Sequence, residues 1–389
     1  MSPLASAFLF QSLIVCIQAL NVAIIGEGVI GTSTALAIKR LDKDVNITVY
    51  HDKDFKDILS HGIAGLFRID DGKPINRLYG AQTFERLAEL WREFGGNSGV
   101  QLVSGHILSQ SQEKLDAQWE NYGQVVYNYV NLTYPQLHSQ FKLENDELYK
   151  AIHYTAFTSE GARYIPWMKK LLEETYDVMY IKQHIDSVEE LGDDGYDVVV
   201  NCGGLAGGKL AADGDEKKMY PIRGLLLKTN ASWQKHFLYR DFTTFTIPVI
   251  DAVYVGTIKE EHNDSLVIDE ESIEKIWGAY LELQPAFKDV EIIDRFVGLR
   301  PARVGGARVK AETRNNTNGN EYRIVHNYGH GGNGFTLGWG SAEHAARLAL
   351  GFDTSQYDEL LNRVHIDMPK DVHKEKPKEM SDQDRAIVK

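Results

Sequence analysis

Gly26, Gly28 and Gly31 give the spacing G-x-G-x-x-G near the start of the chain. In this pattern the first glycine permits a tight turn, the second lets a pyrophosphate approach the backbone, and the third lets a helix pack on a strand. The free amides at the start of that helix bind phosphate oxygens. Asp52 follows about twenty residues later, where an acidic side chain accepts a hydrogen bond from a ribose hydroxyl. The pattern predicts dinucleotide binding, with NAD and FAD both open; a glycine turn without ligand is the alternative.

The elements that must hold this motif can be read along the chain. Residues 22–25 form a short apolar strand, residues 30–40 have helical spacing and residues 46–50 form a second strand. YDVVVNCGGLAGGKL, residues 196–210, is a further strand that runs into a second glycine turn. Residues 220–258 alternate as strands do, with almost no helical period. These patterns predict an α/β fold: a discontinuous Rossmann-like domain and a second domain built on a mixed β-sheet.

The glycine motifs and strands set approximate domain bounds. The cofactor domain is predicted to comprise residues 21–70, 151–210 and 305–350, and the substrate-binding domain residues 71–150 and 211–304. Residues 366–389 are charged, with few large apolar side chains, and are predicted to be a solvated tail.

Composition limits the possible partners. The chain has 389 residues, and 42 basic against 55 acidic side chains give a formal net charge of −13. Such a charge disfavours binding to a phosphate backbone, so nucleic acid is not expected as a partner. No metal site is predicted from the sequence.

The first twenty residues, MSPLASAFLFQSLIVCIQAL, carry no charged side chain. The apolar run is short for a membrane span and fits a cleaved signal peptide at residues 1–20, although no Lys or Arg marks its start. A lengthened first strand is the alternative. Asn-x-Ser/Thr sequons begin at Asn46, Asn131, Asn230, Asn263 and Asn315. We therefore expect a secreted glycoprotein with no membrane association after signal removal.

Five stretches resemble, in order, the FAD-dependent D-amino-acid oxidase and D-aspartate oxidase family. They are VAIIGEGVIGTSTALAI, AGLF, VVVNCGGLAGG, GLRPARVGGARVKAE and VHNYGHGGNGFTLGWGSAEHAARL. The resemblance extends over essentially all of residues 21–350, and GLRP and HNYGHGG are specific to that family rather than to Rossmann folds generally. It implies FAD as the cofactor, with the flavin ring between the cofactor domain and the substrate domain.

The resemblance also assigns cofactor contacts by position. The family motif places further residues next to the adenosine, the ribose, the pyrophosphate and the adenine. Beside Gly26, Gly28 and Gly31, these are Glu27, Val29, Ile30, Asp52, Lys53, Ser60 and Ile185. Those implied to contact the flavin are Ala64, Gly65, Leu66, Gly331, Gly332, Gly334, Phe335 and Thr336. In the last group main-chain amides would replace side chains against a planar ring. The helix start near Thr336 would stabilise negative charge on that ring.

Substrate contacts follow in the same way. Arg300 in GLRP matches the arginine that holds the α-carboxylate, a task that suits the planar fork of guanidinium. Gly332 corresponds to the residue whose carbonyl accepts from the amino group. Arg240, in the Arg-Asp pair of HFLYRDFTTFTIP, resembles the residue that marks the D-aspartate branch by binding the side-chain carboxylate, and Arg68 is a second candidate. Phe245 stands where relatives have an active-site tyrosine, so that hydroxyl is absent.

The resemblance implies oxidative deamination of acidic D-amino acids, D-aspartate and D-glutamate. In this chemistry a hydride passes from the α-carbon to flavin N5, the imino acid hydrolyses to a 2-oxo acid and ammonia, and O2 becomes hydrogen peroxide. No side chain is assigned as a general base, since the cofactor carries the redox step. The alternatives are an oxidase that prefers neutral D-amino acids, an NAD-dependent dehydrogenase, and a binding protein with an inactive oxidase fold.

Overall fold

The computed structural model describes residues 19–362. Residues 1–18 of the signal peptide predicted for residues 1–20, and the whole tail predicted for residues 366–389, lie outside the described residues. The strands are β1 (Asn21–Ile25), β2 (Asn46–His51), β3 (Ala64–Leu66), β4 (Val100–Ser109), β5 (Tyr127–Asn131), β6 (Lys150–Glu160), β7 (Met179–Lys182), β8 (Val198–Asn201), β9 (Met219–Thr229), β10 (His236–Arg240), β11 (Thr244–Pro248), β12 (Val253–Gly256), β13 (Glu260–Glu261), β14 (Ile292–Arg303), β15 (Arg308–Asn315) and β16 (Glu321–Tyr328).

Helices connect and cover these strands. They are α1 (Val29–Leu41), α2 (Pro74–Phe94), α3 (Gln112–Gln118), α4 (Tyr134–Phe141), α5 (Gly161–Tyr176), α6 (Val188–Asp193), α7 (Gly207–Leu210), α8 (Glu270–Leu283), α9 (Gly334–Leu350) and α10 (Ser355–Asn362). No helix within residues 19–362 combines the length and the hydropathy needed to cross a bilayer.

A six-stranded sheet has the order β15-β16-β8-β1-β2-β7. Its strands run parallel except β15, which is antiparallel to β16 at the edge. Val22, Ala23 and Ile24 of β1 are fully buried, because helices and loops cover both faces of a parallel sheet. The predicted unit of strand, helix and second strand is confirmed, with β1, α1 and β2 beginning within one residue of the predicted positions.

The turn between β1 and α1 is as tight as the glycine spacing predicts. Gly26 has φ +108°, and a Cβ atom there would lie 2.6 Å from the Cys202 carbonyl oxygen. At Gly31 a Cβ would lie 1.8 Å from the Gly26 carbonyl oxygen. Any side chain at these two positions would push α1 away from the sheet, so glycine is required to bring the helix start to the ends of β1 and β8.

The second sheet has ten strands, with the order β13-β9-β12-β11-β10-β4-β6-β3 and with β14 and β5 added beside β9 and β6. Neighbouring strands are antiparallel except β10 and β4, which run parallel. The predicted mixed sheet and α/β fold class are therefore confirmed.

Sheet membership crosses the predicted domain bounds at two strands, and the bounds themselves stay a prediction. β3, which falls within predicted segment 21–70, and β6, which opens predicted segment 151–210, both pair in the ten-stranded sheet. β6 is buried along most of its length, as a strand of either sheet would be. Its partner β4 lies about fifty residues earlier, and a local pattern does not encode so distant a pairing.

Candidate active site

A cavity of about 1320 Å³ extends from the turn between β1 and α1 to the strands of the second sheet. Drug-sized ligands occupy pockets of roughly 300 to 1000 Å³, so this space holds a larger molecule. Every cofactor residue predicted from the sequence lines it except Gly31, whose role is to pack α1 on the sheet. The structure therefore brings together residues that are scattered between positions 26 and 336.

Two helix N-termini meet at this cavity. α1 begins after Gly28, and α9 begins at Gly334, where a Cβ would lie 3.8 Å from Val29 Cγ1. Neither helix has an acidic residue in its first turn, so the partial positive charge of both ends remains available. Ser60 Oγ accepts from the Val29 amide at 3.2 Å and lies beside this junction. The arrangement suits the pyrophosphate of a dinucleotide.

The adenosine end contains a buried carboxylate with an unused oxygen. Glu27 is 3% exposed, and its Oε2 accepts from Lys169 Nζ at 3.0 Å. Its Oε1 lies 3.3 Å from His51 Nδ1 but makes no hydrogen bond. A buried acceptor without a donor costs roughly 1 to 3 kcal/mol, and a ribose hydroxyl would satisfy it. The same end is lined by Asp52, Lys53 and Ile185.

The opposite end of the cavity is a concave surface, here called the cradle, which side chains at its glycine positions would fill. A Cβ at Gly65 would lie 2.7 Å from Phe335 Cβ. At Gly332 a Cβ would lie 3.6 Å from Asp70 Oδ2 and 3.7 Å from Arg300 Cδ, in the space in front of that arginine. Ala64, Leu66 and Thr336 complete this surface. The residues present fit FAD along its whole length, with room for a planar ring against main chain.

Arg300 of β14 faces this cradle as an under-satisfied cation. Its two nearest hydrogen-bond acceptors, the Arg223 carbonyl and Thr257 Oγ1, are both 3.5 Å away. No carboxylate within residues 19–362 forms an ion pair with it. Burial lowers the pKa of Arg300, although Tyr239 and Asp70 oppose that shift. A Cβ at Gly224 of β9 would lie 2.3 Å from Arg300 Nη2, so a side chain at this position would collide with the guanidinium group.

Arg68 is the second guanidinium in the cavity, as the sequence predicts. Its side chain is 18% exposed, and one nitrogen, Nη2, forms an ion pair with Asp70. Burial opposes its charge, but the Asp70 carboxylate raises the pKa of Arg68 above its ordinary value. Asn333 Nδ2 donates to Asp70 Oδ2 at 2.7 Å, which ties this pair to the glycine turn before α9. The remaining guanidinium nitrogens are available to a carboxylate.

Arg240, the predicted specificity residue, does not line the cavity in this structure. Its Nη2 donates to the Ala279 carbonyl at 2.8 Å and to Glu282 Oε2 at 3.1 Å, both on α8. Successive side chains of a strand point to opposite faces, and Tyr239 is the residue of β10 that lines the cavity. Asp241, the other residue of the Arg-Asp pair, accepts a hydrogen bond from Ser109 Oγ at 3.1 Å and so links the turn after β10 to the end of β4.

We expect Arg240→Ala to leave kcat/KM for the D-amino-acid oxidation that the resemblance implies within about twofold of the wild-type value. The variant loses an ion pair to Glu282, which is 71% exposed, and such pairs contribute roughly 0.2 to 1 kcal/mol. A modest fall in the thermal midpoint should therefore be its main effect. Steady-state kinetics and a melting curve measure the two effects. A selective loss of D-aspartate oxidation would show that Arg240 does contribute to substrate specificity.

Tyr239 on the facing strand brings a phenol next to Phe245, the position that lacks the expected tyrosine hydroxyl. Phe245 pairs with Tyr239 across β10 and β11, and the two rings stack with centroids 4.7 Å apart. Arg68 Cζ lies 5.6 Å from the centre of the Tyr239 ring. Burial raises the pKa of Tyr239 to about 12, while Arg68 and Arg300 act in the opposite direction. A neutral phenol therefore stands beside both guanidinium groups.

For Tyr239→Phe we expect kcat/KM to fall by about five- to tenfold on every substrate. The ring stack on Phe245 remains, and the loss corresponds to one hydrogen bond of roughly 1 kcal/mol. The double variant Tyr239→Phe/Phe245→Tyr moves the hydroxyl to the other strand and should recover part of the activity. Unchanged kinetics in the single variant would show that the phenol makes no contact with substrate.

The cavity lining also includes Asp70, Tyr239, Lys259 and Asn333, which were not predicted from the sequence. Side chains alternate between the two faces of the sheet along HFLYR, and Phe245 in the next strand fixes which face is the cavity face. This alternation would have selected Tyr239 rather than Arg240 as the cavity residue. Asp70 stands two residues after Arg68, but nothing in the sequence marks it as the partner. Lys259 follows β12 and lies exposed at the cavity edge, with no carboxylate of the described residues paired to it.

The six-stranded sheet, the two helix N-termini and the cavity fitted to FAD define a flavin-dependent oxidoreductase. The family described as FAD dependent oxidoreductase matches residues 21–348, and the chain belongs to this family.

Similar proteins extend over the same region. The chain is 45% identical over 329 residues to D-aspartate oxidase 1 of Caenorhabditis elegans, which covers 84% of this chain and 96% of that protein. It is 30% identical over 335 residues to the D-aspartate oxidase of Homo sapiens, covering 84% and 94%. Glycine oxidase from Bacillus cereus ATCC 14579 has a similar fold, with a TM-score of 0.71, 20% identity and coverage of 89% and 99%.

Proposed function

We propose that this enzyme oxidises acidic D-amino acids, D-aspartate and D-glutamate, to the 2-oxo acid and ammonia, with O2 reduced to hydrogen peroxide. The observation that carries the proposal is a pair of guanidinium groups at the substrate end of the cavity, of which Arg300 has no carboxylate partner in the described chain. The D-aspartate oxidases at 45% and 44% identity over nearly their whole length support the same substrate class.

Arg300 holds the α-carboxylate of the substrate. A carboxylate offers two acceptor oxygens to the guanidinium fork and satisfies a cation that now has two distant neutral acceptors. The Gly332 carbonyl accepts from the amino group, and its lack of a side chain leaves room for the α-carbon beside Arg300. Two anchors on the same carbon fix which of its substituents faces the cradle.

When bound, FAD supplies the two-electron acceptor of the reaction. The chain stabilises the negative charge that arrives there through the N-terminus of α9, which begins at Gly334 and is followed by Phe335 and Thr336 of the cradle. His330, next to the turn, is buried and its pKa is lowered to about 4 by that burial. It stays neutral at physiological pH and bonds Ser341 Oγ at 3.0 Å, so it supports the turn rather than moving a proton.

Arg68 binds the side-chain carboxylate of the substrate. Beside the Arg68–Asp70 ion pair, the cavity is also lined by Arg300 and Lys259, cations that no carboxylate of the described chain pairs with. An acidic D-amino acid brings two carboxylates and one ammonium group, and its net negative charge complements that excess of positive charge. A neutral side chain would leave the free nitrogens of Arg68 without an acceptor in a largely buried site.

A second candidate is an oxidase of neutral D-amino acids. The observation that favours it is the existing pair of Arg68 with Asp70, which already balances one cation. Peroxide release from D-aspartate, D-glutamate, D-methionine and glycine decides between the two. We expect the two acidic substrates to have the highest kcat/KM; a preference for D-methionine would refute the acidic assignment.

We also propose that the protein is secreted and carries N-linked glycans. The uncharged segment of residues 1–20 supports export, and four sequon asparagines, Asn46, Asn131, Asn230 and Asn315, are exposed. Asn46 Nδ2 donates to Asn21 Oδ1 at 3.1 Å, so it is the least available of the four. Expression in animal cells should release a protein whose mass falls on treatment with N-glycosidase. Retention inside the cells without glycans would contradict the proposal.

A further inference from the structure

Three histidines meet on the ten-stranded sheet, away from the cofactor. His106 of β4 pairs directly with His153 of β6, and His236 of β10 lies diagonally across from His106. Ring centroids are 4.7 Å apart for His106 and His236, and 4.9 Å apart for His106 and His153. One nitrogen from each ring can be chosen so that all three lie within 4.8 Å of one another.

The histidine cluster (His106, His153 and His236) lies on the face of the sheet opposite the active-site cavity. Tyr239 lines the cavity, and it is separated from His236 by an odd number of positions along β10, so the two side chains point to opposite faces. α4 covers the cluster, with Phe141 edge-on to His106 at 5.5 Å between centroids. The proposed oxidation does not use these residues.

Hydrogen bonds alone leave the cluster poorly satisfied. His236 Nε2 lies 2.6 Å from His106 Nδ1, and Gln140 Nε2 lies 3.2 Å from the same His106 nitrogen. A neutral ring nitrogen has one lone pair or one proton, so it cannot serve both neighbours well. No carboxylate of residues 19–362 forms an ion pair with any of the three rings.

We propose that the histidine cluster binds one zinc ion through three imidazole nitrogens. A tetrahedral site with zinc–nitrogen distances of about 2.0 to 2.1 Å separates its ligand atoms by roughly 3.3 Å, which lies within the 4.8 Å envelope of the cluster. His106 and His236 would need to part by less than about 1 Å. His153 and His236 are half-buried, which leaves an entry path and a position for water as the fourth ligand.

A second trio of possible ligands, Asp213, Glu312 and His326, offers a useful contrast. Arg308 Nη2 lies 2.7 Å from Asp213 and 3.3 Å from Glu312, and Arg314 Nη2 lies 2.6 Å from Glu312. Two arginines already neutralise these carboxylates, so a cation would meet repulsion there. The histidine cluster contains no such competing positive charge.

Zinc in the cluster would tie together β4, β6 and β10, and two of these strands, β10 and β6, hold residues at or next to the active site on their other face. β10 holds Tyr239 and β6 holds Tyr154, which donates to the Phe67 carbonyl at 3.4 Å next to Arg68. The parallel pairing of β10 with β4 is the one parallel contact in this sheet, and His106 and His236 lie on those two strands. The expected role is therefore structural, with an effect on stability rather than on the chemical step.

Zinc binding can be measured on the full-length holoenzyme. After treatment with a chelator and desalting, the protein is titrated with zinc sulfate and its bound metal is measured by mass spectrometry. We expect one zinc per chain, with binding weakened by about 100-fold or more in His153→Ala and in His236→Ala. His262→Ala is the matched control, because His262 is exposed and stacks on Tyr220 outside the cluster. Flavin absorbance shows that each variant is folded.

A second measurement needs no substitution. Since zinc binds the folded chain, it should raise the thermal midpoint of the chelator-treated wild-type enzyme and leave the midpoint of the His153→Ala/His236→Ala double variant unchanged. Failure of the wild-type enzyme to retain zinc, or equal retention by the histidine variants, would overturn the proposal. D-Aspartate oxidation is assayed separately, so this result stands apart from the proposed function.

Discussion

Arg300→Ala should lower kcat/KM for D-aspartate by about 100-fold or more. Arg300 is the one arginine of the cavity without a carboxylate partner in the described chain, and a bidentate bond to the α-carboxylate is expected to contribute about 3 kcal/mol to transition-state binding. Because every amino acid has an α-carboxylate, the loss should be similar for D-aspartate, D-glutamate and D-methionine. Steady-state peroxide assays measure it directly.

Two further variants separate binding from folding. Arg300→Lys keeps the charge but replaces the planar fork by a point charge, so it should recover only part of the lost activity. Arg295→Ala is the control on the same strand, because Arg295 pairs with Glu270 at the surface and should retain full activity. If Arg300→Ala bound FAD and turned over at a near-normal rate, the assignment of the α-carboxylate site would be incorrect.

Arg68→Ala should change specificity rather than abolish activity. We expect kcat/KM for D-aspartate to fall by about 100-fold, since a side-chain carboxylate would lose its charged partner and remain unpaired inside the cavity. For D-methionine the same variant should keep or gain activity, because a cation that its side chain cannot satisfy has been removed. The ratio of the two kcat/KM values is the quantity to compare.

The matched controls for Arg68 are Asp70→Asn and Arg240→Ala. Asp70→Asn removes the carboxylate that competes for Arg68, so the KM for D-aspartate should fall or stay unchanged. Arg240→Ala changes an arginine predicted from the sequence to serve this role but held by α8 in the structure. Equal losses on D-aspartate and D-methionine in Arg68→Ala would show that Arg68 supports the fold of the site and does not select the substrate.

Local motifs allowed much of the cofactor site to be predicted. A Cβ atom at any glycine of G-x-G-x-x-G would lie within a few ångströms of another residue. At Gly31, for example, it would lie 1.8 Å from the Gly26 carbonyl oxygen. Because the Gly31 contact joins residues close in sequence, the spacing of the motif encodes it. The turn at Gly331 to Gly334 was also predictable. Its glycines lead directly into a helix, and side chains in the turn would block the N-terminus of that helix.

The substrate end was less predictable because strand pairing decides it. Arg240 has the residue type that the chemistry requires, but its place in β10 turns it towards α8, while Tyr239 faces the cavity. Which face of a strand is inward depends on its partners, here Phe245 of β11. The histidine cluster has the same origin, since β4, β6 and β10 bring together positions that are far apart in sequence and no local spacing links them.

Anaerobic mixing of the yellow holoenzyme with D-aspartate tests the central claim most directly. The visible flavin absorbance should bleach rapidly with D-aspartate, slowly with D-methionine and not at all with L-aspartate, and it should return when O2 is admitted. A protein that contains FAD but keeps its colour with every D-amino acid would contradict the account, because the two guanidinium groups would then lie beside a flavin without presenting a substrate to it.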